Sequence, residues 1–417
     1  MICIDDIVIF LWFCLLYMKK LIRFLKKYET IYGILVYIYY LPKFLYYQFF
    51  LRAFAFFRID NKKVIIINFA GKWYWDNGKY ISNKLLKYKD LKIYWAAKKK
   101  EKGSLPKEIH YVRFDSIKYL YHLATAKIWI NNSRFESGII KRKGQFYIQT
   151  WHGCIVFKKV ESAVIDKLPR KQVWDSKNDS KLADCFVSNS VFGTNFYKKY
   201  FWYDGDILEY WCPRNDVIVN NNKELIKKIK TNIKISDDEK ICLYAPTFRA
   251  NAWLGVYDIK YDLLIRELTN KFWWNWKVLI RLHPLISFLS KQLIGLNKNV
   301  INVTDYPDIQ ELLVVSDFLI TDYSSCIFDY ALSKKPAMIY ASDIEEYKED
   351  RDFEIKLEEQ PFPIATNNME LKEVINNYDV GQYKSDLDKF YSNIGLKETG
   401  ESSEIIAEII REMTNNE

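Results

Sequence analysis

Short apolar segments, each followed by polar residues and then by a helical pattern, constrain the fold of this chain more than any other feature. The first is VIIINF at 64–69, and a parallel strand buried on both faces requires such a continuous apolar run. Helical patterns at 80–86 and 116–123 separate strands of the first series. Further strand candidates form two series, at 91–96, 127–130, 146–149 and 185–188, and at 241–245, 278–282, 300–303, 318–320 and 337–340. The alternation predicts an α/β fold with two doubly wound, Rossmann-like domains that face a cleft.

The boundaries between these units follow from composition. A chain of 417 residues has room for two domains of about 150 residues and an additional region. We assign residues 1–60 to a hydrophobic and basic helical region, 61–214 to the first Rossmann-like domain and 215–417 to the second, with C-terminal helices. The stretch 215–239 is rich in Asn and Lys, which is typical of a linker.

The N-terminal region indicates attachment to a membrane surface. The apolar run at 7–17 is shorter than the roughly 20 residues of a spanning helix, and it lacks the basic start and cleavage site of a signal peptide. Met18 is an alternative start of the chain. An aromatic segment follows at 31–57, and basic and aromatic residues together suit a helix in the membrane interface. The basic cluster consists of Lys19, Lys20, Arg23, Lys26 and Lys27.

Two alternatives for this N-terminal region remain. A helical hairpin packed on the first domain would show the same aromatic content. A true transmembrane span is disfavoured by Pro42, Lys43, Gln48 and Arg52, because polar groups are costly at the bilayer centre.

The charge and the cysteines restrict the classes of partner and site. A net charge of +10 favours anionic partners such as a nucleotide or an anionic membrane surface. We expect no nucleic-acid partner, since no nucleic-acid-binding motif is evident and much of the basic excess lies near the N-terminus. The seven cysteines include no C-x-x-C pair, so neither a zinc site nor a disulfide scaffold is indicated, and a reducing compartment fits best.

Polar motifs follow four of the predicted strands, at the strand ends where α/β sheets bind ligands. They are QTWHG at 149–153, APTFR at 245–249, RLHP at 281–284 and TDYSS at 321–325. Two of the four histidines, His152 and His283, occupy matching positions in the two domains. Because histidine has a pKa near 6.5, both are candidates for a role at neutral pH.

The turn at 321–325 connects a buried strand to a helical pattern at 326–333. The first N–H groups of a helix lack intrahelical partners and favour anions, so Ser324 and Ser325 lie where a phosphate would bind. The alternative is that Asp322 or Ser324 only caps the helix.

Five motifs together resemble one known family. QTWHG, YAPTFR, RLHP and TDYSSCIFDYALSKKP, with PRND at 213–216, are similar to motifs of the CDP-glycerol:poly(glycerophosphate) glycerophosphotransferases. The resemblance covers about 64–365, and five motifs in the family's order are far more specific than one. It implies a GT-B-type fold with an acceptor domain first and a CDP-donor domain second.

The resemblance also implies an activity. Such enzymes transfer glycerol phosphate, or a related polyol phosphate such as ribitol phosphate, from a CDP-activated donor to a hydroxyl of a lipid-linked acceptor. CMP is released, and the product belongs to teichoic acid or capsular polysaccharide. Family members are peripheral proteins on the cytoplasmic face of the membrane. The choice of polyol, the acceptor and the number of units added remain open.

Transfer of a phosphoryl group needs a base, charge neutralisation and positioning. We expect His152 to act as the general base and His283 to act in catalysis on the donor side. The candidate donor-binding residues are Thr247, Arg249, Arg281, His283, Thr321, Ser324, Ser325 and Asp329. The candidate interdomain or substrate-orienting residues are Trp151, Gly153, Arg214, Asn215 and Asp216. For Asp216 and Asp329 a structural ion pair is the alternative.

No tightly bound cofactor and no protein metal site are expected, because the sequence shows no acidic cluster suited to a divalent cation. Mg²⁺ could accompany the pyrophosphate. Two other functions are kept as alternatives: a GT-B nucleotide-sugar glycosyltransferase, since a fold does not determine the chemistry, and a non-catalytic polyanion binder.

Overall fold

The computed structural model describes residues 29–153, 155–156, 158–209, 212–249, 254–283, 286, 297–344 and 353–415. The apolar run at 7–17 and the basic cluster at 19–27 lie outside the described residues. Within them the chain forms two parallel sheets, so the predicted α/β fold with two doubly wound units is confirmed.

The first sheet has seven strands in the order β3-β2-β1-β4-β5-β6-β7. They are β1 (Asp60–Ile67), β2 (Lys92–Ala97), β3 (His110–Arg113), β4 (Ala126–Asn131), β5 (Phe146–Gln149), β6 (Cys185–Val187) and β7 (Asp206–Leu208). The helices along this part of the chain are α1 (Glu29–Phe54), α2 (Asp76–Leu85), α3 (Ile117–Thr125), α4 (Arg170–Leu182) and α5 (Val191–Tyr200). The strand order reverses between β1 and β4, and such a reversal opens a crevice at the carboxyl ends of the strands.

The second sheet has six strands in the order β10-β9-β8-β11-β12-β13. They are β8 (Glu239–Ala245), β9 (Asn275–Ile280), β10 (Val300–Asn302), β11 (Phe318–Thr321), β12 (Ala337–Tyr340) and β13 (Ile364–Ala365). The helices are α6 (Asp216–Asn220), α7 (Lys223–Asn232), α8 (Tyr261–Phe272), α9 (Ile309–Val315), α10 (Cys326–Ala331), α11 (Asn368–Asn376), α12 (Val380–Ile394) and α13 (Ser402–Asn415). Its order reverses between β8 and β11, which places a second crevice beside the TDYSS turn.

The predicted strands are found, with ends displaced by a few residues or less. The bounds of β5 and β12 agree with the prediction. Strands β3, β7 and β13 were not predicted; they are short, and β3 and β7 carry polar residues such as His110 and Asp206. The linker predicted at 215–239 is wrong in part, because α6 and α7 lie within it.

Helix α7 shows why the linker prediction failed. Its apolar face consists of Leu225, Ile226 and Ile229 on a background of Lys and Asn. Asn222 caps its start by accepting a hydrogen bond from the N–H of Leu225. The high content of Asn and Lys therefore favoured a linker, although the apolar residues of this segment have the spacing of an amphipathic helix.

Helix α13 follows the second sheet in the chain but packs on the first. Ile406, Ala407 and Ile410 are buried in one cluster with residues of α2 and β1. Asp216 holds the start of α13, since its carboxylate accepts hydrogen bonds from the N–H groups of Ser402, at 3.0 Å, and Ser403, at 2.7 Å. The end of the chain thus ties the two sheets together.

Helix α1 lies against the first domain and exposes its other side. Tyr47 and Leu51 are buried against α3, and the Tyr47 hydroxyl donates to Asp115 at 2.5 Å. Several large apolar side chains of the same helix face solvent: Ile34, Tyr37, Ile38, Phe44, Leu45 and Phe49. In the part of the chain that the structure describes, no helix is long and apolar enough to cross a membrane.

Candidate active site

The carboxyl ends of the two sheets face each other across a cleft. The loop after β5 carries the QTWHG motif, and the loop after β11 carries TDYSS. A Cβ atom placed on Gly153 would lie 3.4 Å from the hydroxyl oxygen of Ser325. The backbone at Gly153 in the first domain thus lies next to the TDYSS turn of the second.

His152 is held in one orientation at the centre of this cleft. Its Nδ1 lies 2.7 Å from the carbonyl oxygen of Asn132. Since a carbonyl only accepts, Nδ1 carries the proton in this hydrogen bond and Nε2 is left as the basic nitrogen of the neutral ring. Burial lowers the pKa of His152, which keeps the ring neutral. The imidazole also stacks on Trp151, with ring centroids 4.2 Å apart.

The QTWHG loop is fixed by side chains from distant parts of the chain. Trp151 adopts a left-handed φ of 51°, and its N–H donates to the side-chain oxygen of Gln149 at 2.9 Å. The amide of Asn77 donates to the carbonyl oxygens of Thr150, at 3.3 Å, and Trp151, at 3.1 Å. An unusual backbone conformation that its surroundings enforce is common at functional sites.

Arg214 joins the two domains beneath His152. Its guanidinium pairs with Asp76 of the first domain at 2.9 Å and with Asp329 of the second at 2.7 Å. It also donates to the carbonyl oxygen of His152 at 2.8 Å. All three charged groups are buried, so the ion pairs are exposed to little solvent screening.

The other members of the PRND motif also contact protein groups. Asn215 donates to Glu398 at 3.0 Å, and Asp216 caps α13. Asp329 receives, besides Arg214, the side-chain amide of Gln310 at 3.1 Å. Burial raises the pKa of Asp329, whereas Arg214 lowers it. For Asp329 the structure thus shows the ion pair that the sequence left as the alternative, whereas Asp216 accepts hydrogen bonds from Ser402 and Ser403.

On the donor side, Arg249 is engaged by carboxylates. Its guanidinium contacts Asp343 at 2.5 Å and Asp322 at 2.9 Å. Asp322 also accepts from the N–H of Thr247 at 2.9 Å, and the Thr247 hydroxyl accepts from Arg249. This network holds the ends of β8 and β11 together. The Thr321 hydroxyl serves the same purpose by donating to the carbonyl oxygen of Ala245 at 2.6 Å.

Arg281 and His283 extend from the end of β9 towards the cleft. Arg281 donates to the carbonyl oxygen of Tyr306 and lies 5.9 Å from the ring centroid of Trp75 in the first domain. Burial lowers the pKa of Arg281 to about 10. His283 is exposed, and its pKa is lowered by partial burial and then by Lys72 and Arg281.

The TDYSS turn leads directly into α10, which ends at Ala331 rather than at 333 as predicted. Ser324 accepts from the N–H of Cys326 at 3.4 Å, a long capping contact. The backbone N–H groups of Ser324 and Ser325 have no acceptor among the described residues. The turn therefore offers two free donors at the cleft in addition to weak capping.

Sequence reasoning missed the residues that support His152 and Arg214. Asn132 directly follows strand β4, whereas Asp76 and Asn77 begin helix α2. For Asn132 the position after an apolar strand was a usable signal, since strand ends had already identified the other motifs. Their hydrogen-bond and ion-pair partners lie from 20 to 138 residues away in the chain. The sequence alone therefore could not show which residues contact each other.

No group of three or more His, Cys, Asp or Glu side chains within the described residues could hold a metal ion. A salt bridge outside the four motifs also joins the domains: Lys79 of α2 contacts Asp308 at 2.6 Å and Glu311 at 2.7 Å.

Comparison with known proteins gives consistent matches. The profile of the CDP-Glycerol:Poly(glycerophosphate) glycerophosphotransferase family matches residues 47–412. A teichoic acid poly(glycerol phosphate) polymerase of Staphylococcus epidermidis is 32% identical over 84% of this chain and 51% of its own length. A protein of the same name from Bacillus spizizenii is 31% identical over 84% of this chain and 92% of its own length. The chain thus spans about half the length of the first relative and most of the second.

A solved structure of the wall teichoic acid polymerase TagF superimposes with a TM-score of 0.76 and 30% identity, covering 86% of this chain and 90% of that chain. The same polymerase has been solved after a soak with CDPG. The similarity confirms that the two sheets are arranged as in a GT-B-type fold.

Proposed function

Because this chain belongs to the CDP-glycerol:poly(glycerophosphate) glycerophosphotransferase family, we propose that it transfers a polyol phosphate from a CDP-activated donor to a hydroxyl group in teichoic acid or capsule synthesis. The observation that carries the proposal is the fixed tautomer of His152, whose Nδ1–H is held by the Asn132 carbonyl. This leaves Nε2 as a base in the cleft between the domains.

The proposed reaction is the one that membership of the family implies, with His152 as the base. The acceptor oxygen forms a bond to the β-phosphorus of the donor while the bond from that phosphorus to the bridging oxygen breaks. The electron pair leaves with CMP, and Nε2 of His152 takes the proton of the acceptor hydroxyl. The lowered pKa of His152 supports this role, because a general base must be neutral before it accepts a proton.

The second domain is proposed to bind the donor. The N–H groups of Ser324 and Ser325, which have no acceptor in the part of the chain that the structure describes, support a phosphate site next to Gly153. Arg281 and His283 supply positive charge or hydrogen bonds from the end of β9. Four other candidates are proposed to position the donor-binding groups without touching the donor, because their polar groups are already bonded to protein atoms. They are Arg249, Thr247, Thr321 and Asp329. Any Mg²⁺ would arrive with the pyrophosphate.

Incubation with CDP-glycerol and with CDP-ribitol, each with a panel of lipid-linked acceptors, tests the proposal through CMP release. We favour glycerol because both curated relatives described above carry glycerol phosphate in their names. Turnover of a UDP-sugar with release of UDP, and no CMP release from either CDP-polyol, would replace the proposal with the glycosyltransferase alternative.

We also propose that α1 rests on the cytoplasmic face of the membrane, where lipid-linked acceptors are found. Leu45 and Phe49 are 54% and 68% exposed on one helix, and large apolar side chains on one side of a helix suit the interface between head groups and acyl chains. The preceding basic cluster at 19–27 would add about 1 kcal/mol per charge near an anionic leaflet.

A further inference from the structure

The loop between β1 and α2 is held in a strained conformation beside the active site. Phe69, Ala70, Gly71 and Trp73 have φ angles of 41°, 53°, 79° and 52°. The N–H of Lys72 donates to the carbonyl oxygen of Asn68 at 3.0 Å. Strain of this kind persists only where the surroundings enforce it, and it concentrates at sites that bind or switch.

The rest of the first domain fixes this loop from behind. The N–H of Lys98 donates to the carbonyl oxygen of Gly71 at 2.7 Å. A Cβ on Gly71 would lie 2.5 Å from the Cβ of Phe114, so only glycine fits. The loop is therefore a preorganised part of the cleft wall.

Aromatic residues of the loop contact the active site on both sides. The ring of Phe69 lies 5.1 Å from that of His152 and stacks on Trp75 at 5.5 Å. The Trp75 ring lies 5.9 Å from the guanidinium of Arg281 in the second domain. The loop thus stands between the proposed base and the proposed donor site.

Lys72 is the charged residue at the tip of this loop. Its side chain is exposed, with Nζ 5.5 Å from the Trp73 ring centroid. The ion pairs of the described residues do not include Lys72. The Trp73 ring lies 5.4 Å from the Trp75 ring, and Trp75 contacts Arg281, so Lys72 is on the side of the loop that faces the second domain. After burial, Lys72 and then Arg281 lower the pKa of His283.

The cleft therefore brings together Lys72, Arg281 and His283, three basic groups from two domains. Lys72 and Arg281 carry like charges, which repel each other. A bound pyrophosphate would offset this repulsion, and positive charge would stabilise the negative charge that develops on CMP as it leaves. Arg249 cannot supply this charge as it stands, because Asp322 and Asp343 already neutralise it.

We propose that Lys72 binds the pyrophosphate of the CDP-activated donor from the acceptor domain, opposite Arg281 and His283. The inference rests on the proposed function and adds to it a donor-binding residue in the first domain. When the β-phosphorus bond to the bridging oxygen breaks, the ammonium of Lys72 stabilises the negative charge that passes to CMP. No proton is transferred to or from Lys72 in this step.

The test measures CDP-glycerol binding by calorimetry and CMP release for wild type, Lys72→Ala and Lys72→Arg. Lys72→Ala should weaken donor binding about 10- to 100-fold, the usual effect of losing a hydrogen bond to a charged group, and Lys72→Arg should recover part of the loss because it keeps the charge. Lys100→Ala is the matched control, since Lys100 is exposed in the same domain and pairs only with the adjacent Glu101.

A second readout separates direct binding from a structural effect. The pKa of His283, measured by NMR in the full chain without ligand, should rise in Lys72→Ala and stay lowered in Lys72→Arg. The four histidines make the spectrum simple, and His283→Gln assigns the signal.

The inference would be overturned if Lys72→Ala bound CDP-glycerol as tightly as wild type does. It would also be overturned if the pKa of His283 in Lys72→Ala equalled its pKa in wild type. Wild type that binds CDP-glycerol but releases no CMP with any acceptor would instead overturn the proposed function, while the binding comparison would still decide the role of Lys72.

Discussion

At the scale of single residues, the active site consists of a few reactive groups and a larger number of groups that position them. His152 owes its tautomer to the Asn132 carbonyl, and the carbonyl of His152 itself is held by Arg214. Arg214 in turn depends on Asp76 and Asp329. His152, the proposed base, is thus linked through one buried arginine to both domains.

Replacement of His152 by Ala should lower kcat by roughly 10²–10⁴, the usual contribution of a positioned general base. The KM for the CDP-polyol should change little, since most of the proposed donor-binding residues lie on the second domain. Steady-state CMP release measures both constants. His110→Ala, an exposed histidine at the start of β3, is the control; turnover of the His152 variant at the control's level would remove His152 from the mechanism.

Replacement of His283 by Ala should weaken donor binding about tenfold. Ser324→Ala should weaken it less, because the backbone N–H at this position remains. Titration with CDP-glycerol measures both effects, with Ser392→Ala, an exposed serine of the second domain, as the control. If both variants bind the donor as tightly as the control, the pyrophosphate lies elsewhere in the cleft.

At the scale of elements, α1 packs on the first domain with one side and faces solvent with the other. Its inner side covers α3 through Tyr47 and Leu51, and its outer side presents Leu45 and Phe49 to solvent. Lys43 anchors the helix to Asp115 at 3.0 Å and to Glu136 at 2.6 Å. Removing the whole helix would uncover the core of the first domain, so substitutions on the outer side are the sharper test of membrane binding.

The double replacement Leu45→Ser and Phe49→Ser should reduce sedimentation of the full chain with anionic vesicles several-fold at low salt, because it removes apolar surface from the interface. Met369→Ser is the control, since Met369 is 71% exposed on α11 of the other domain. Binding of wild type should fall as salt rises. Equal sedimentation of the double variant and the control would show that α1 does not touch the lipid.

At the scale of the whole molecule, the contacts that connect the domains among the described residues include Arg214 with its two carboxylates, Lys79 with Asp308 and Glu311, the packing of α13 on the first sheet, and the segment between α12 and α13. In that last segment Glu398 accepts hydrogen bonds from Asn189 and Asn215, each at 3.0 Å. Burial raises the pKa of Glu398 to about 8, from an ordinary value near 4.5.

The raised pKa of Glu398 predicts a pH dependence of stability. A carboxyl whose pKa is higher in the folded than in the unfolded chain stabilises the fold fully below pH 4.5, and this stabilisation is lost as the pH rises towards 8. Glu398→Gln should therefore show a smaller decrease in Tm between pH 5 and pH 8 than wild type. Thermal unfolding at several pH values measures this, with Glu401→Gln, an exposed neighbour, as the control. Parallel profiles of all three proteins would contradict it.

Much of this architecture was predictable from sequence, because buried parallel strands such as β1 and β5 are continuous apolar runs and the strand ends identified His152, His283 and the TDYSS turn. The network around Arg214 was not predictable, because Asp76 and Arg214 are 138 residues apart in the chain. Arg249 shows the same difficulty: its position in a motif favoured phosphate binding, but its carboxylate partner Asp343 lies 94 residues later. Sequence patterns locate a charged side chain, whereas only the fold shows what neutralises it.

The return of α13 to the first sheet has a consequence for how the protein is made. A ribosome delivers the chain from its N-terminus, and domains usually fold in that order. Here Ile406 and Ile410, which cover Ile81 and Leu85, follow all strands of the second sheet in the chain. The hydrophobic surface around Ile81 and Leu85 therefore stays uncovered until the second domain has been synthesised, and the two domains complete their cores together.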